Sequence, residues 1–150
     1  MIAGVDSPVG PLALTETDGA ITALDWRVVK SPPASDLTRE AARQLAAYFA
    51  GERTAFTLPL APRGSEFQLA FYRALCAIPH GETRRYGDLA AALEVSPQAI
   101  GQACGANPIP ILIPCHRVLS ASGLGGYSGA GGVETKVALL RLEGAAALLI

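Results

Sequence analysis

Residues 107–119 read Asn-Pro-Ile-Pro-Ile-Leu-Ile-Pro-Cys-His-Arg-Val-Leu, and the interpretation of the whole chain starts from this stretch. Its three prolines exclude a helix, because proline lacks a backbone N–H and clashes with the preceding turn. The apolar run 111–113 between two of them predicts a short buried strand. Cys115 would therefore leave a rigid apolar segment at a fixed position.

The adjacent Cys115 and His116 suggest a nucleophile with its base. The thiolate is the reactive form of cysteine, and a neighbouring histidine can lower the thiol pKa. The pair alone equally fits a buried structural cysteine and a core histidine, and taken alone it favours that reading. Neighbouring side chains do not face each other on a helix. A catalytic pair would need a turn or a bridging water, and a third group such as a carboxylate to orient the imidazole.

Two short helices are predicted upstream of this stretch. The first spans 86–93, and Ser96-Pro97 supplies an N-cap and a proline in the first turn for a second helix that ends near Gly105. Helix, short turn and helix over about 86–106 is the spacing of a helix-turn-helix. An ordinary helical hairpin has the same spacing, so the pattern alone leaves DNA binding open.

The flanking segments complete the C-terminal part of the chain. A capping box at residues 65–68 opens an amphipathic helix that Pro79 ends. Downstream, 123–132 is rich in glycine and precedes a last helix over about 133–142. This loop lacks a complete dinucleotide or P-loop fingerprint, and by itself it also fits a flexible connection.

The N-terminal part has the pattern of a small sheet with one helix. Residues 1–30 predict strands separated by turn residues, and Asp36 is expected to cap a helix that Gly51 ends. Residues 58–64 indicate a linker. The sequence therefore predicts an α+β protein with a structural α/β domain over 1–62 and a mostly helical domain over 63–150.

The composition limits the class of protein, its compartment and its partners. Half of the 150 residues are hydrophobic and 17% are charged, which is typical of a globular protein. No apolar run approaches the roughly 20 residues that span a bilayer, and no secretory signal is recognisable, so we expect a cytoplasmic protein without membrane contact. Three cysteines fit a reducing compartment, and with two histidines they form no zinc pattern, so no metal is expected. A net charge of −1 allows nucleic-acid binding only if arginines gather on one face.

Several segments together resemble one known family. The string 114–118, Pro-Cys-His-Arg-Val, is similar to the active-site signature of the O6-alkylguanine-DNA alkyltransferases, the methylated-DNA–protein-cysteine methyltransferases. The resemblance is dense over 65–144 and looser over 7–12 and 36–50, and it implies a ribonuclease H-like fold for the N-terminal domain. The other matching residues are Asn107-Pro108, Thr83, Tyr86, Tyr127-Ser128-Gly129, Lys136 and Glu143-Gly144.

The resemblance implies DNA repair by a single, stoichiometric alkyl transfer from O6-alkylguanine to Cys115. A soft thiolate suits displacement at an alkyl carbon. His116 would act as base through a bridging water, with Glu143 orienting it. Tyr86 would donate a hydrogen bond or proton to the departing guanine, although a core aromatic is its plain alternative. No cofactor is suggested, and the expected partner is double-stranded DNA bound by a monomer.

The target atom lies inside the duplex, so the nucleotide must be flipped out. By resemblance, the pocket and the DNA interface include Tyr127, Ser128, Pro110 and Val118, while Asn107 holds the turn after the recognition helix. That helix would enter the minor groove with Gln98 and Ala99 near its start. Phosphate contacts would come from Arg84 and Arg85, with Arg73 as a further candidate, although a solvated surface explains these arginines equally well.

The sequence departs from the family at Gln98, where an arginine is usual. A neutral side chain there predicts weaker DNA binding and a shallower salt dependence. Two other functions stay open at this point. One is a module that binds damaged bases without transfer, which the presence of Cys115 disfavours. The other is a Cys-His hydrolase, for which the sequence offers no clear oxyanion hole.

Overall fold

The computed structural model describes residues 1–145 and divides into two compact units, Met1–Arg63 and a second that begins at Gly64. The first unit holds a three-stranded sheet and one helix, and the second is mostly helical. The α+β class predicted from the sequence is therefore confirmed. Within residues 1–145, no helix is long and apolar enough to cross a membrane.

The first unit is built on an antiparallel sheet in the order β1-β2-β3. The strands are β1 (Ile2–Val5), β2 (Leu12–Thr17) and β3 (Ala20–Asp25), as the turn residues between them predicted. Asp18 and Gly19 both have positive φ values, 50° and 78°, in the tight turn that joins β2 to β3. The edge strand β3 also pairs through Ile21 with Leu60 in parallel, so the segment before the second unit returns to the sheet.

One helix, α1 (Asp36–Phe49), supplies the rest of this core, and its apolar face matches the predicted spacing. Its cap is Ser35 and not Asp36 as expected: the Ser35 hydroxyl accepts from the backbone N–H of Thr38. Both residue types are good caps, and the backbone of Asp36 is already helical. Gly51, with φ of 76°, follows the end of the helix. The buried core includes Leu12, Leu14, Ile21, Leu24, Ala41, Leu45 and Tyr48.

The second unit begins with α2 (Glu66–Cys76), whose capping box joins Ser65 and Gln68 as predicted. The next two helices, α3 (Tyr86–Leu93) and α4 (Pro97–Gly105), pack against each other. Ser96 caps α4 by accepting from the N–H of Ala99. Both helices have the predicted bounds, and a short turn separates them, as in a helix-turn-helix.

Residues 111–113 are buried, but they do not form the predicted strand. Ile111 has φ of 72°, and the N–H of Ile113 donates to the carbonyl of Ile109 at 2.9 Å, so the chain turns back on itself. Its bridge joins Pro110 to Ile113 within the same segment. The physical reason is that the flanking prolines lack the N–H groups that a strand ladder needs.

The chain then passes through a 3₁₀ turn (Cys115–Arg117) into β5 (Val118–Leu119). This strand pairs in parallel with β4 (Arg84–Arg85), which leads directly into α3. The pairing brings the start of α3 beside the segment that carries Cys115. The last helix, α5 (Val133–Leu142), follows the glycine-rich loop with the predicted bounds.

Candidate active site

Cys115 lies at the wall of a cavity of about 280 Å³ in the second unit. Its side chain is almost wholly enclosed, since only 4% of the residue is exposed. The lining residues come from α3, α4, the 3₁₀ turn and the glycine-rich loop: Tyr86, Gly101, Cys104, Gly105, Cys115, Gly126, Tyr127 and Ser128.

The electrostatics of this site keep the Cys115 thiol protonated at rest. Burial raises the pKa of the thiol above its ordinary value, because a thiolate loses hydration in an apolar site. A hydrogen bond with the Asn107 side chain and the positive charge of Lys136 act in the opposite direction. The thiol therefore needs a base before it can act as a nucleophile.

His116 is fully buried and contacts Glu143 at the end of α5. The distance between His116 Nε2 and Glu143 Oε2 is 2.7 Å. Because a carboxylate only accepts, Nε2 is the donor in this bond. The other ring nitrogen, Nδ1, has no hydrogen-bond partner among the residues that the structure describes. In the neutral imidazole this atom carries the lone pair of a base.

The environment of His116 favours that neutral form. Burial lowers the pKa of the imidazole below its ordinary value, and the charges of Arg117 and Lys136 lower it further. Glu143 raises the pKa through its hydrogen bond and its charge, but burial is the larger effect. A neutral histidine beside a protonated thiol is the resting state of a general-base pair.

Asn107 ties together the two ends of the buried turn before Cys115. Its Nδ2 donates to the carbonyl of Ile113 at 2.9 Å, and its Oδ1 accepts from the N–H of Ile109 at 3.0 Å. All three groups are buried. This amide thus braces the segment between α4 and Cys115, together with the backbone bond from the N–H of Ile113 to the carbonyl of Ile109.

Two phenols face the cavity. Burial raises the pKa of both Tyr86 and Tyr127, so each hydroxyl keeps its proton and can donate a hydrogen bond. The glycine-rich loop passes close to Tyr86: a Cβ at Gly125 would lie 3.1 Å from the Tyr86 hydroxyl oxygen, and φ of Gly125 is 71°. Glycine permits both the approach and the positive φ.

Lys136 holds the glycine-rich loop in place by hydrogen bonds. Its residue is fully buried, and Nζ donates to the carbonyl of Val118 at 2.6 Å and to that of Gly126 at 3.1 Å. One side chain of α5 thus joins β5 to the cavity wall. The buried ammonium also places a positive charge near the Cys115 thiol, where it favours the thiolate.

The other residues expected at the site lie outside the cavity wall. Pro110 and Val118 are buried, while Gln98 is exposed and Ala99 half-buried in the first turn of α4. The arginines expected to bind phosphates have internal partners. Arg85 donates to the carbonyls of Ser120 and Ala121, and Arg84 pairs with Glu82 at 3.2 Å and donates to the carbonyl of Thr83.

Sequence reasoning missed the contribution of α4 to the cavity. Cys104 lines the cavity between Gly101 and Gly105. Their spacing of three and four residues places them on one face of the helix, which is the signal that could have identified them. Burial raises the pKa of Cys104 to about 12, so this thiol is a poor nucleophile. Within residues 1–145 no group of three or more potential metal ligands is found.

Comparison with known proteins relates this site to a family. Residues 66–145 match the family model described as the DNA-binding domain of 6-O-methylguanine DNA methyltransferase, and 3–62 match its ribonuclease-like domain. The chain is similar to the methylated-DNA–protein-cysteine methyltransferases of Methanosarcina barkeri and Mycolicibacterium paratuberculosis. Identity is 43% in the first case, over 93% of the chain and 94% of the relative, and 46% in the second, over 93% and 89%.

Solved structures give the same result. The crystal structure of the Mycobacterium tuberculosis O6-methylguanine methyltransferase matches with a TM-score of 0.84 and 42% identity, covering 95% of this chain and 92% of that one. A crystal structure from the same organism in complex with DNA matches with a TM-score of 0.85 and 43% identity, covering 98% and 94%. The chain therefore belongs to the methylated-DNA–protein-cysteine methyltransferase family.

Proposed function

We propose that this chain repairs double-stranded DNA by moving an alkyl group from O6 of guanine to the sulfur of Cys115, once per molecule. Methyl transfer from O6-methylguanine to a protein cysteine is the activity of the family. The observation that carries the assignment to this residue is that Cys115 lines a cavity while its neighbour His116 is a buried, neutral base.

The first step creates the nucleophile. A proton leaves the Cys115 thiol and reaches Nδ1 of His116 through a water molecule, since Nδ1 is the ring atom that Glu143 leaves available. Glu143 stabilises the imidazolium that forms, and Lys136 and Asn107 stabilise the thiolate. Side chains of consecutive residues in a helical turn do not face each other. A bridging water lets the proton pass between them without direct contact of the thiol and the imidazole.

The second step is displacement at the alkyl carbon. The thiolate electron pair forms the S–C bond, and the C–O6 bond breaks with its pair moving onto guanine. Tyr86 donates a hydrogen bond to the base and so stabilises the negative charge that develops there. Guanine then takes up one proton, which balances the proton lost by the thiol. The products are unmodified guanine and an S-alkylcysteine, so each molecule of the protein reacts once.

Reaching the target requires a flipped nucleotide, and the second unit has the elements for it. The helix-turn-helix presents α4, whose Gly101 and Gly105 let the helix backbone approach the nucleic acid closely. The base would enter the cavity between this helix and the glycine-rich loop, with Tyr127 and Ser128 as the opposite wall. Gln98 would enter the minor groove without adding charge, as the sequence predicts.

An oligonucleotide assay tests the proposal. Duplex carrying O6-methylguanine is incubated with increasing amounts of protein, and the guanine restored is measured by chromatography of the digested DNA. One guanine restored per protein molecule, with none for Cys115→Ala, supports suicidal transfer. Binding without restoration indicates a recognition module, and restoration beyond one per protein indicates turnover by a hydrolase. Either of those results would contradict the proposal.

The proposed state is a cytoplasmic monomer. All three cysteines are free thiols, which fits a reducing compartment. Light scattering during size-exclusion chromatography, with and without duplex, tests the stoichiometry. A stable dimer in the absence of DNA would contradict this part of the proposal.

A further inference from the structure

Arg117 lies against the same carboxylate that holds His116. Its Nε donates to Glu143 Oε1 at 2.8 Å and its Nη2 to Glu143 Oε2 at 3.0 Å. The remaining nitrogen, Nη1, donates to the carbonyl of Ile78 after α2 at 2.6 Å. Only 7% of Arg117 is exposed, so the whole contact is shielded from water. This bidentate geometry fixes the plane of the carboxylate as well as its position.

The contact changes the charge balance around His116. A buried carboxylate beside a histidine ordinarily favours the imidazolium, because the two then form an ion pair. Here Glu143 Oε2 is shared between His116 Nε2 and Arg117 Nη2. With a neutral histidine, the carboxylate and the guanidinium balance each other. Protonation of His116 would leave an additional positive charge in a buried site, which is costly.

We propose that Arg117 is a positioning residue of the transfer reaction, which keeps His116 neutral and aligned by binding Glu143. The Nδ1 lone pair is then available to accept the thiol proton at neutral pH. Without Arg117, the His116–Glu143 pair would hold a proton and the base would be lost. The inference rests on the proposed role of His116 as base, although the state of the imidazole can be measured without any DNA.

The groups that act on His116 come from three parts of the second unit. Glu143, after α5, favours the charged imidazole, while Arg117 in the 3₁₀ turn and Lys136 in α5 disfavour it. Cys115 precedes it in the chain, and the Cys76 thiol, at the end of α2, interacts with Arg117. Lys136 is bound by two carbonyls and has no carboxylate partner among its hydrogen bonds in residues 1–145. Arg117 is thus the cation that contacts Glu143 directly.

Nuclear magnetic resonance of the imidazole nitrogens tests the resting state. The chain has two histidines, so a His80→Gln background leaves the His116 signals alone. We expect the neutral tautomer protonated at Nε2, with a pKa below the ordinary value of 6.5. An imidazolium at neutral pH, or a proton on Nδ1, would overturn the inference whether or not the protein transfers alkyl groups.

Two variants of Arg117 distinguish an effect of its charge from an effect of its packing. Arg117→Gln removes the charge and should raise the His116 pKa by about one unit or more, with the acid limb of the transfer rate moving to higher pH by the same amount. Arg117→Lys keeps the charge but loses the bidentate contact. The His116 pKa should therefore stay near that of the parent, while the transfer rate falls. The control Arg141→Gln removes an exposed charge from α5 and should change neither.

A purely structural role predicts a different result. Both variants would then lose stability alike in thermal unfolding, and neither would change the His116 pKa. An unshifted pKa in a folded Arg117→Gln protein therefore refutes the inference. If that variant does not fold, the comparison of Arg117→Lys with the parent decides: a raised pKa despite the retained charge also refutes it.

Discussion

Replacement of Asn107 by alanine is expected to weaken both the fold and the reaction. The amide makes two buried hydrogen bonds, to the carbonyl of Ile113 and from the N–H of Ile109. The substitution leaves the buried N–H of Ile109 without this partner, at a cost of about 1–3 kcal/mol, whereas the carbonyl of Ile113 keeps a bond from the N–H of Cys115. We therefore expect the free energy of unfolding to fall by about 1–3 kcal/mol. This is a large part of the stability of an ordinary domain.

Urea unfolding followed by circular dichroism measures this loss, with Gln102→Ala on the exposed side of α4 as the matched control. That control should change stability by less than about 0.5 kcal/mol. Asn107→Asp keeps the acceptor for Ile109 but loses the donor to Ile113 and adds a negative charge near the thiol. It should therefore raise the Cys115 pKa further and slow transfer more than its stability loss explains. A loss below about 1 kcal/mol for Asn107→Ala would refute the bracing role of this amide.

Three further predictions concern DNA binding, the leaving group and pH. Gln98→Arg should tighten binding to undamaged duplex and steepen the salt dependence by about 0.9 in the log–log slope, measured by fluorescence anisotropy; an unchanged slope would count against the position of Gln98 in the minor groove. Tyr86→Phe should slow single-turnover transfer by about 100-fold or more with little effect on DNA affinity, and a rate near that of the parent would remove Tyr86 from the chemistry. The pKa of His116 is lowered in the folded protein, so the unfolded chain binds more protons below the ordinary value of 6.5. Stability should therefore be lost as the pH falls below about 6.5, and equal urea midpoints at about pH 7.5 and 5.5 would contradict the burial of a neutral histidine.

The helices of the second unit could be predicted closely because their signals are local. Ser65 and Ser96 cap the helices that follow them, and Pro97 lies in the first turn of α4. Such signals act within one turn, so a sequence displays them directly. The shift of the α1 cap from Asp36 to Ser35 has the same origin, since both neighbours are good capping residues.

The turn at Ile111 and the pairing of β4 with β5 could not be predicted from local patterns. Isoleucine favours strands, but here three prolines and the Asn107 amide determine the backbone, and Ile111 takes a positive φ that β-branched residues rarely adopt. The parallel pairing of Arg84 with Val118 joins segments far apart in sequence. Its consequence, that Tyr86 and Cys115 line one cavity, is visible only in three dimensions.

The candidate site also contains residues that the sequence could identify and residues that only the structure identifies. Cys115, His116 and Glu143 were named from the family resemblance, and the structure places Glu143 2.7 Å from His116. The contact of Arg117 could not be predicted, because nothing in the sequence indicates that this arginine shares a carboxylate with the histidine. The position of Cys104 in the cavity wall could not be predicted either, since it depends on how α4 packs against the loop.

The central claim is that the sulfur of Cys115 receives the alkyl group. The most direct test is mass spectrometric peptide mapping after incubation with excess O6-methylguanine duplex, because it locates the added group among three cysteines in one measurement. The account predicts one methyl group on the peptide that carries Cys115, with Cys76 and Cys104 unmodified. A methyl group on either of those thiols, or an unmodified Cys115 after guanine has been restored, would contradict it.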